Sequence, residues 1–225
     1  MDKAERMGII RRWQDAGVVF EDPETVYVDA SASIGAGTRV GPNVHLKGRT
    51  KVGRDCRIDG TAYVVDSEVG DGVHLRFSVV VTEAAIGDEA VIGPFAHLRP
   101  ASKLGARVHI GNFVETKKST LGEGTKANHL AYLGDATIGR DTNIGAGTIT
   151  CNYDGFAKYP TLIGDRVQVG SDTTLVAPLT LGDDVYVATA STVRHDVPAG
   201  ALVYNERRER VREGWTAAKR AKMKK

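Results

Sequence analysis

The stretch ASIGAGTRVGPNVHLKGRTKVGRDCRIDGTAYV, residues 32–64, decides the fold. Ile34, Val40, Leu46, Val52, Ile58 and Val64 follow one another at intervals of six. Two positions before each anchor stands Ala32, Thr38, Val44, Thr50 or Ala62, with Cys56 the one departure from Ser, Thr, Ala or Val here. Residues two apart on a strand share a face. Each hexad is therefore a short strand with one large and one small side chain pointing inward. Gly follows several anchors, as in Ile34-Gly35 and Val52-Gly53, where the chain must turn without a crowding Cβ.

The rhythm runs on from Val69 through Leu75, Val81, Ile86, Ile92 and Leu98 to Val193. Three hexads make one coil. Coils begin at 34, 52, 69, 86, 104, 121, 138, 163 and 181, spaced 17 or 18 residues apart except for one spacing of 25. Such a repeat predicts an all-β fold, a parallel β-helix of triangular section in which each strand pairs with the one a coil away. Residues 1–25 are expected to form an N-terminal arm with a helix over 4–16. Residues 26–203 form the β-helix and 204–225 a basic tail, whose REGWTAAKRAKMKK favours helix.

Bulk charge does not point to a polyanion partner, because the 225 residues carry a net +2. Residues 205–225 hold nine Lys or Arg and three Asp or Glu, 9 − 3 = +6, so the remainder carries 2 − 6 = −4. The tail reads as a solvated terminus, and no aromatic-rich basic motif argues for nucleic acid. Two cysteines, Cys56 and Cys151, fit a reducing compartment. The N-terminus MDKAERMGII lacks the apolar core of a signal peptide, and no run approaches the roughly 20 apolar residues of a membrane span. A cytoplasmic protein is expected. No Cys or His cluster has metal-ligand spacing; the nearest histidines, His97 and His109, are 109 − 97 = 12 apart.

The rhythm breaks in three consecutive coils. Thr116, Ala127 and Thr150 occupy anchor slots that elsewhere hold Ile, Leu or Val. Lys117-Lys118, His129 and Cys151-Asn152-Tyr153 follow them closely. The long coil has 25 − 18 = 7 extra residues within CNYDGFAKYPTL, whose Asn, Asp-Gly and Pro predict a projecting loop. Departures from a local rule mark candidate functional sites. His129 lies two residues past an inward slot, at a corner, so it points outward. On this ground alone it is either a functional group or a plain surface histidine.

The segments IGPFAHLRP (92–100), IGNFVETKKSTLGEGTKANHLAYLGDATIG (110–139), NIGAGTITCNYDG (143–155) and VGSDTTLVAPLTLG (169–182) resemble the acetyltransferase domain of the bacterial bifunctional GlmU family. The resemblance extends from about Asp22 to Trp215. It implies a left-handed β-helix and acetyl transfer from acetyl-CoA to the amine of glucosamine 1-phosphate, a step toward UDP-N-acetylglucosamine, with no metal. It further implies His129 as general base. Asn152 orients the sugar or stabilises the oxyanion. Arg99, Lys117, Tyr132, Asn143 and Lys158 hold the sugar phosphate, and Ala146, Asn152, Tyr153, Ser171 and Thr189 hold acetyl-CoA.

The chemistry suits those residue types. An imidazole titrates near neutral pH and can take a proton from an attacking amine. An amide N–H suits a developing oxyanion, and Arg with Lys suits a phosphate. The chain departs from the family where Thr189 replaces the common Ala and where Glu206 stands at the place of a coenzyme-contacting arginine, with Arg207 next to it. No Gly-rich nucleotide loop precedes the helical arm, so acetylation without uridylation is expected, with a separate uridyltransferase as a candidate partner. Family members assemble as homotrimers with active sites between subunits. A relative acting on another amino sugar or amine, and a β-helix scaffold without catalysis, are the rival readings. The joint presence of Arg99, Lys117, His129, Tyr132 and Asn152 speaks against the scaffold.

Overall fold

The computed structural model describes residues 2–206 and 209–223, and the chain winds as a left-handed β-helix of three parallel sheets. The faces have 11, 10 and 9 strands and are called first, second and third here. Register follows the hexads without slippage. On the first face Val40 lies beside Ile58, Ile58 beside Leu75 and Leu75 beside Ile92. Leu46–Val64–Val81–Leu98 make the same ladder on the second face, and Ile34–Val52–Val69–Ile86 on the third.

These anchors form the core. Leu46, Ile58, Leu75, Ile92, Leu98, Leu121, Leu133 and Leu175 are fully buried, each contributing about 1.5–3 kcal/mol through burial. The small inward slots explain why Ser and Thr interchange with Ala there. The hydroxyl of Thr38 donates to the Gly53 carbonyl at 2.9 Å, that of Thr125 to Gly139 at 2.6 Å and that of Thr142 to Gly164 at 2.9 Å. These three buried hydroxyls each find a carbonyl of the next coil.

The N-terminal helix α1 (Lys3–Asp15) covers one end of the prism. Asp2 caps it by accepting from the Glu5 N–H at 2.8 Å. Ile10 is fully buried, and the Arg6 guanidinium donates to the Glu24 carbonyl at 2.7 Å while lying 4.6 Å from the Tyr27 ring centroid. The helix thereby shields strand edges that would otherwise be open to pairing. The strand Val19–Phe20 already pairs with Arg39–Val40, so the first face begins within the N-terminal arm. At the other end Leu202–Val203 pairs with Tyr186–Val187, and an exposed helix α2 (Trp215–Met223) follows. No helix among the described residues is long and apolar enough to cross a membrane.

All three irregular anchors point inward. Thr116 donates to the Ser102 hydroxyl at 2.8 Å, and Ala127 stacks between Ile110 and Ile144. Thr150 accepts from the Gly134 N–H at 2.8 Å and donates to the Gly134 carbonyl at 3.1 Å. Its hydroxyl takes part in the coil-to-coil ladder where the chain leaves the prism for the projecting loop.

Candidate functional site

Two groups of candidate residues stand at opposite edges of the second face. The first is a row along the corner between the first and second faces. His129 lies beside Asn112, and Ala146, Ser171 and Thr189 occupy the same corner in the following coils. From His129 to Thr189 is three strand spacings, roughly 14 Å at ~4.8 Å each. His129 is exposed, and Leu130 beside it makes the turn with φ 50°. Along this row a backbone N–H just past the corner donates to the carbonyl a coil below: Leu130 to Asn112 at 2.9 Å, Asp172 to Ala146 at 2.7 Å and Ala190 to Ser171 at 2.7 Å. Among the described residues no such bond joins Gly147 to the His129 carbonyl. The corner ladder is therefore interrupted at the step between His129 and Ala146.

Glycine is required along this corner. A Cβ on Gly170 would come within 2.8 Å of the Thr189 Cα, and one on Gly145 within 2.7 Å of the Ser171 nitrogen. On the first-face side, a cleft of about 230 Å³ adjoins His129 and is lined by Arg76, His109, Asn112 and Asn128 among others. Burial, with help from Lys126 and Arg76, keeps the His109 pKa below the ordinary imidazole range.

The second group gathers at the corner between the second and third faces. Arg99 and Lys117 each follow a second-face anchor, one coil apart. The loop after Cys151 folds back through an antiparallel bridge between Tyr153 and Lys158. Asp154 organises its turn by accepting from the Phe156 and Ala157 N–H groups at 2.8 and 2.7 Å. This fold brings Lys158 near Lys117. Lys158, and then Arg99, hold the Lys117 pKa below the ordinary lysine range. Arg99 pairs with Glu115 at 2.6 Å, and among the described residues neither Lys117 nor Lys158 has a carboxylate partner. Neighbouring cations without a carboxylate partner suit a phosphate. Tyr132 lies beside them, its ring folded across Gly134, where any Cβ would strike the Tyr132 Cζ at 2.7 Å. Asn152 is buried and donates from Nδ2 to the Asp135 carboxylate.

Within one chain the sequence-predicted residues are therefore only partly brought together. Arg99, Lys117, Tyr132, Asn152 and Lys158 cluster; His129, Ala146, Ser171 and Thr189 align. From Leu130 to Gly134 is four residue steps of chain, roughly 13 Å at ~3.3 Å each. His129 and Asn152 thus stand at opposite edges of the second face in one copy. Asn143 is on a third surface, the first face, between Lys126 and Gln168. Tyr153 is exposed on the loop. Arg207 lies outside the described residues, whereas Glu206 lines a hollow of about 560 Å³ at the C-terminal end with Thr192, Arg194, His195 and Asn205. Sequence reasoning missed Glu115, Gly134 and Asp135. Glu115 had a signal, since it stands two residues before Lys117 and pairs in register with Tyr132.

No family model matches the chain. It is 48% identical over 225 residues to the protein named Bifunctional protein GlmU of Koribacter versatilis, covering 100% of this chain and 48% of that protein. It is 50% identical over 206 residues to the protein of the same name from Anaeromyxobacter sp. (strain Fw109-5), covering 92% of this chain and 42% of that one. The chain spans about half the length of these curated relatives. Among solved structures, the UDP-N-acetylglucosamine acyltransferase of Francisella novicida matches with a TM-score of 0.50 at 17% identity, over 82% of this chain and 66% of that one, a likeness of fold.

Proposed function

Because the chain belongs over its whole length to the GlmU family, as its acetyltransferase region, we propose that it transfers acetyl from acetyl-CoA to the amine of glucosamine 1-phosphate. The observation that carries this reading is the gathering of Arg99, Lys117 and Lys158 beside Tyr132 at one corner, cations suited to a phosphate that an unphosphorylated amino sugar would not need. In the reaction the amine lone pair attacks the thioester carbonyl. His129 takes the ammonium proton as the C–N bond forms. The tetrahedral oxyanion is met by the free N–H of Asn152. Collapse breaks the C–S bond, and the imidazolium returns its proton to the CoA thiolate. The extended arm of CoA lies along the row Ala146–Ser171–Thr189, with Tyr153 of the loop against it.

The separation of His129 from Asn152 supports a homotrimer in which one copy's corner row meets its neighbour's loop. Phe77, Phe95, Phe113 and Leu130 fit that assembly: they form an exposed apolar column on the His129 corner, the three rings in successive contact. Asn143, on a different face from Lys117, also joins the site only across such an interface. The chain works with a uridyltransferase activity, in the same or another polypeptide, and in the cytoplasm where acetyl-CoA is made.

The test is thiol release from acetyl-CoA with glucosamine 1-phosphate, glucosamine and glucosamine 6-phosphate. Release is expected with the 1-phosphate alone and is expected to fall at least about 10²-fold in His129→Ala. Equal turnover of unphosphorylated glucosamine would remove the role given to the three cations. No turnover with any acceptor would remove the function.

A further inference from the structure

Asn152 has one side-chain partner among the described residues, the Asp135 carboxylate. A carboxylate can only accept, so the contact settles which end of the amide is which: the NH₂ faces Asp135 and Oδ1 faces away. The amide's second N–H and its Oδ1 have no side-chain partner among the described residues and are left for a ligand or solvent. Both backbones are pinned. The Asn152 carbonyl accepts from the Tyr159 N–H at 2.9 Å, closing the base of the loop. The Asp135 N–H donates to the Lys117 carbonyl at 3.0 Å, and its own carbonyl accepts from the Thr161 N–H at 3.1 Å. Asp135 also turns the corner with φ 48°, a left-handed conformation that Asp and Asn adopt more readily than other side chains.

We propose that Asp135 is a positioning residue for acetyl transfer, holding the Asn152 amide with its donor end toward the reacting carbonyl. This rests on the reading that Asn152 faces the thioester. A flipped amide would present Oδ1 to the oxyanion and repel it. The carboxylate opposes that flip, because two oxygens would then face each other in a part-buried place. It also polarises the amide, strengthening the remaining N–H as a donor. A hydroxyl or a second amide meeting Asn152 would leave both orientations open.

Asp135→Asn keeps the size and the tolerance for positive φ, and presents either an acceptor or a donor to Asn152. It is expected to lower kcat about 10- to 10²-fold with little change in either KM or in Tm. In an Asn152→Ala background the same substitution is expected to have no further effect, since there is no amide left to orient. An equal loss with and without Asn152 would overturn the proposal. A readout independent of turnover is the side-chain NH₂ signal of Asn152 in a ¹⁵N-labelled protein. The native signal should be protected from hydrogen exchange and lose that protection in Asp135→Asn; unchanged protection overturns the proposal. If the native protein transfers no acetyl group, the functional reading fails by itself, and the amide signal still decides whether Asp135 orients Asn152.

Discussion

Thr150→Val separates two explanations of the broken rhythm. If Thr150 is a packing accident, Val should be at least as good, because nearly every other anchor is aliphatic. The structure says otherwise. The Thr150 hydroxyl is buried, accepts from the Gly134 N–H at 2.8 Å and donates to the Gly134 carbonyl at 3.1 Å. Val leaves that buried N–H unmatched, at about 1–3 kcal/mol. The added methyl regains at most about 0.8 kcal/mol. A net loss of about 0.2–2 kcal/mol is expected, a fall in Tm of up to about 8 °C at ~2–4 °C per kcal/mol for a chain of this size. Thr150→Ser keeps the hydroxyl and should retain the ladder bond while losing only a methyl. The assay is thermal unfolding of native, Val and Ser forms, with thiol release measured alongside, because Asn152 lies two residues on. A Val form as stable and as active as the native protein would refute the reasoning and leave Thr150 as an ordinary core residue.

Lys158→Met removes the charge that depresses the Lys117 pKa, so that pKa should rise. Acceptor binding needs Lys117 protonated and weakens as pH climbs through its pKa, so the alkaline limb of kcat/KM should move to higher pH in the variant; a limb that stays put would separate Lys117 from phosphate binding. Gly134→Ala forces the Tyr132 ring off its bed and should raise KM for the acceptor while sparing KM for acetyl-CoA; unchanged KM values would show that Tyr132 does not touch the acceptor. Co-assembled His129→Ala and Asn152→Ala copies should regain about a quarter of native activity if each site joins one copy's corner to its neighbour's loop; a mixture as inactive as its components would place each site within one copy. Ile10→Ala, at a fully buried position under the first coil, should cost about 2–5 kcal/mol without changing the substrate preference of the surviving folded protein, as followed by denaturant unfolding and thiol release.

The fold was legible because hexad arithmetic leaves little freedom. A strand period of two fixes which side chains point inward, and a coil of three hexads places every third anchor on the same face. The same arithmetic puts His129, Ala146, Ser171 and Thr189 on one corner, since each stands two residues after a first-face anchor: Ala127, Ile144, Val169 and Val187. It puts Lys117, one residue after Thr116, at the opposite edge of the next face. What resisted reading lies where the period fails. The return of Lys158 onto Lys117 depends on the loop's own turn, held by Asp154 and the Tyr153–Lys158 bridge, and no spacing rule reports that. The contacts of Tyr132 with Gly134 and of Asp135 with Asn152 depend on side-chain rotamers, which the backbone pattern does not encode. The period also carries a consequence for the site itself. A straight prism repeats its corners at constant separation, so no number of further coils brings His129 nearer to Asn152. In the assembly proposed above a second prism set against the first does so, and the exposed phenylalanine column on the His129 corner is the surface with which it would pack.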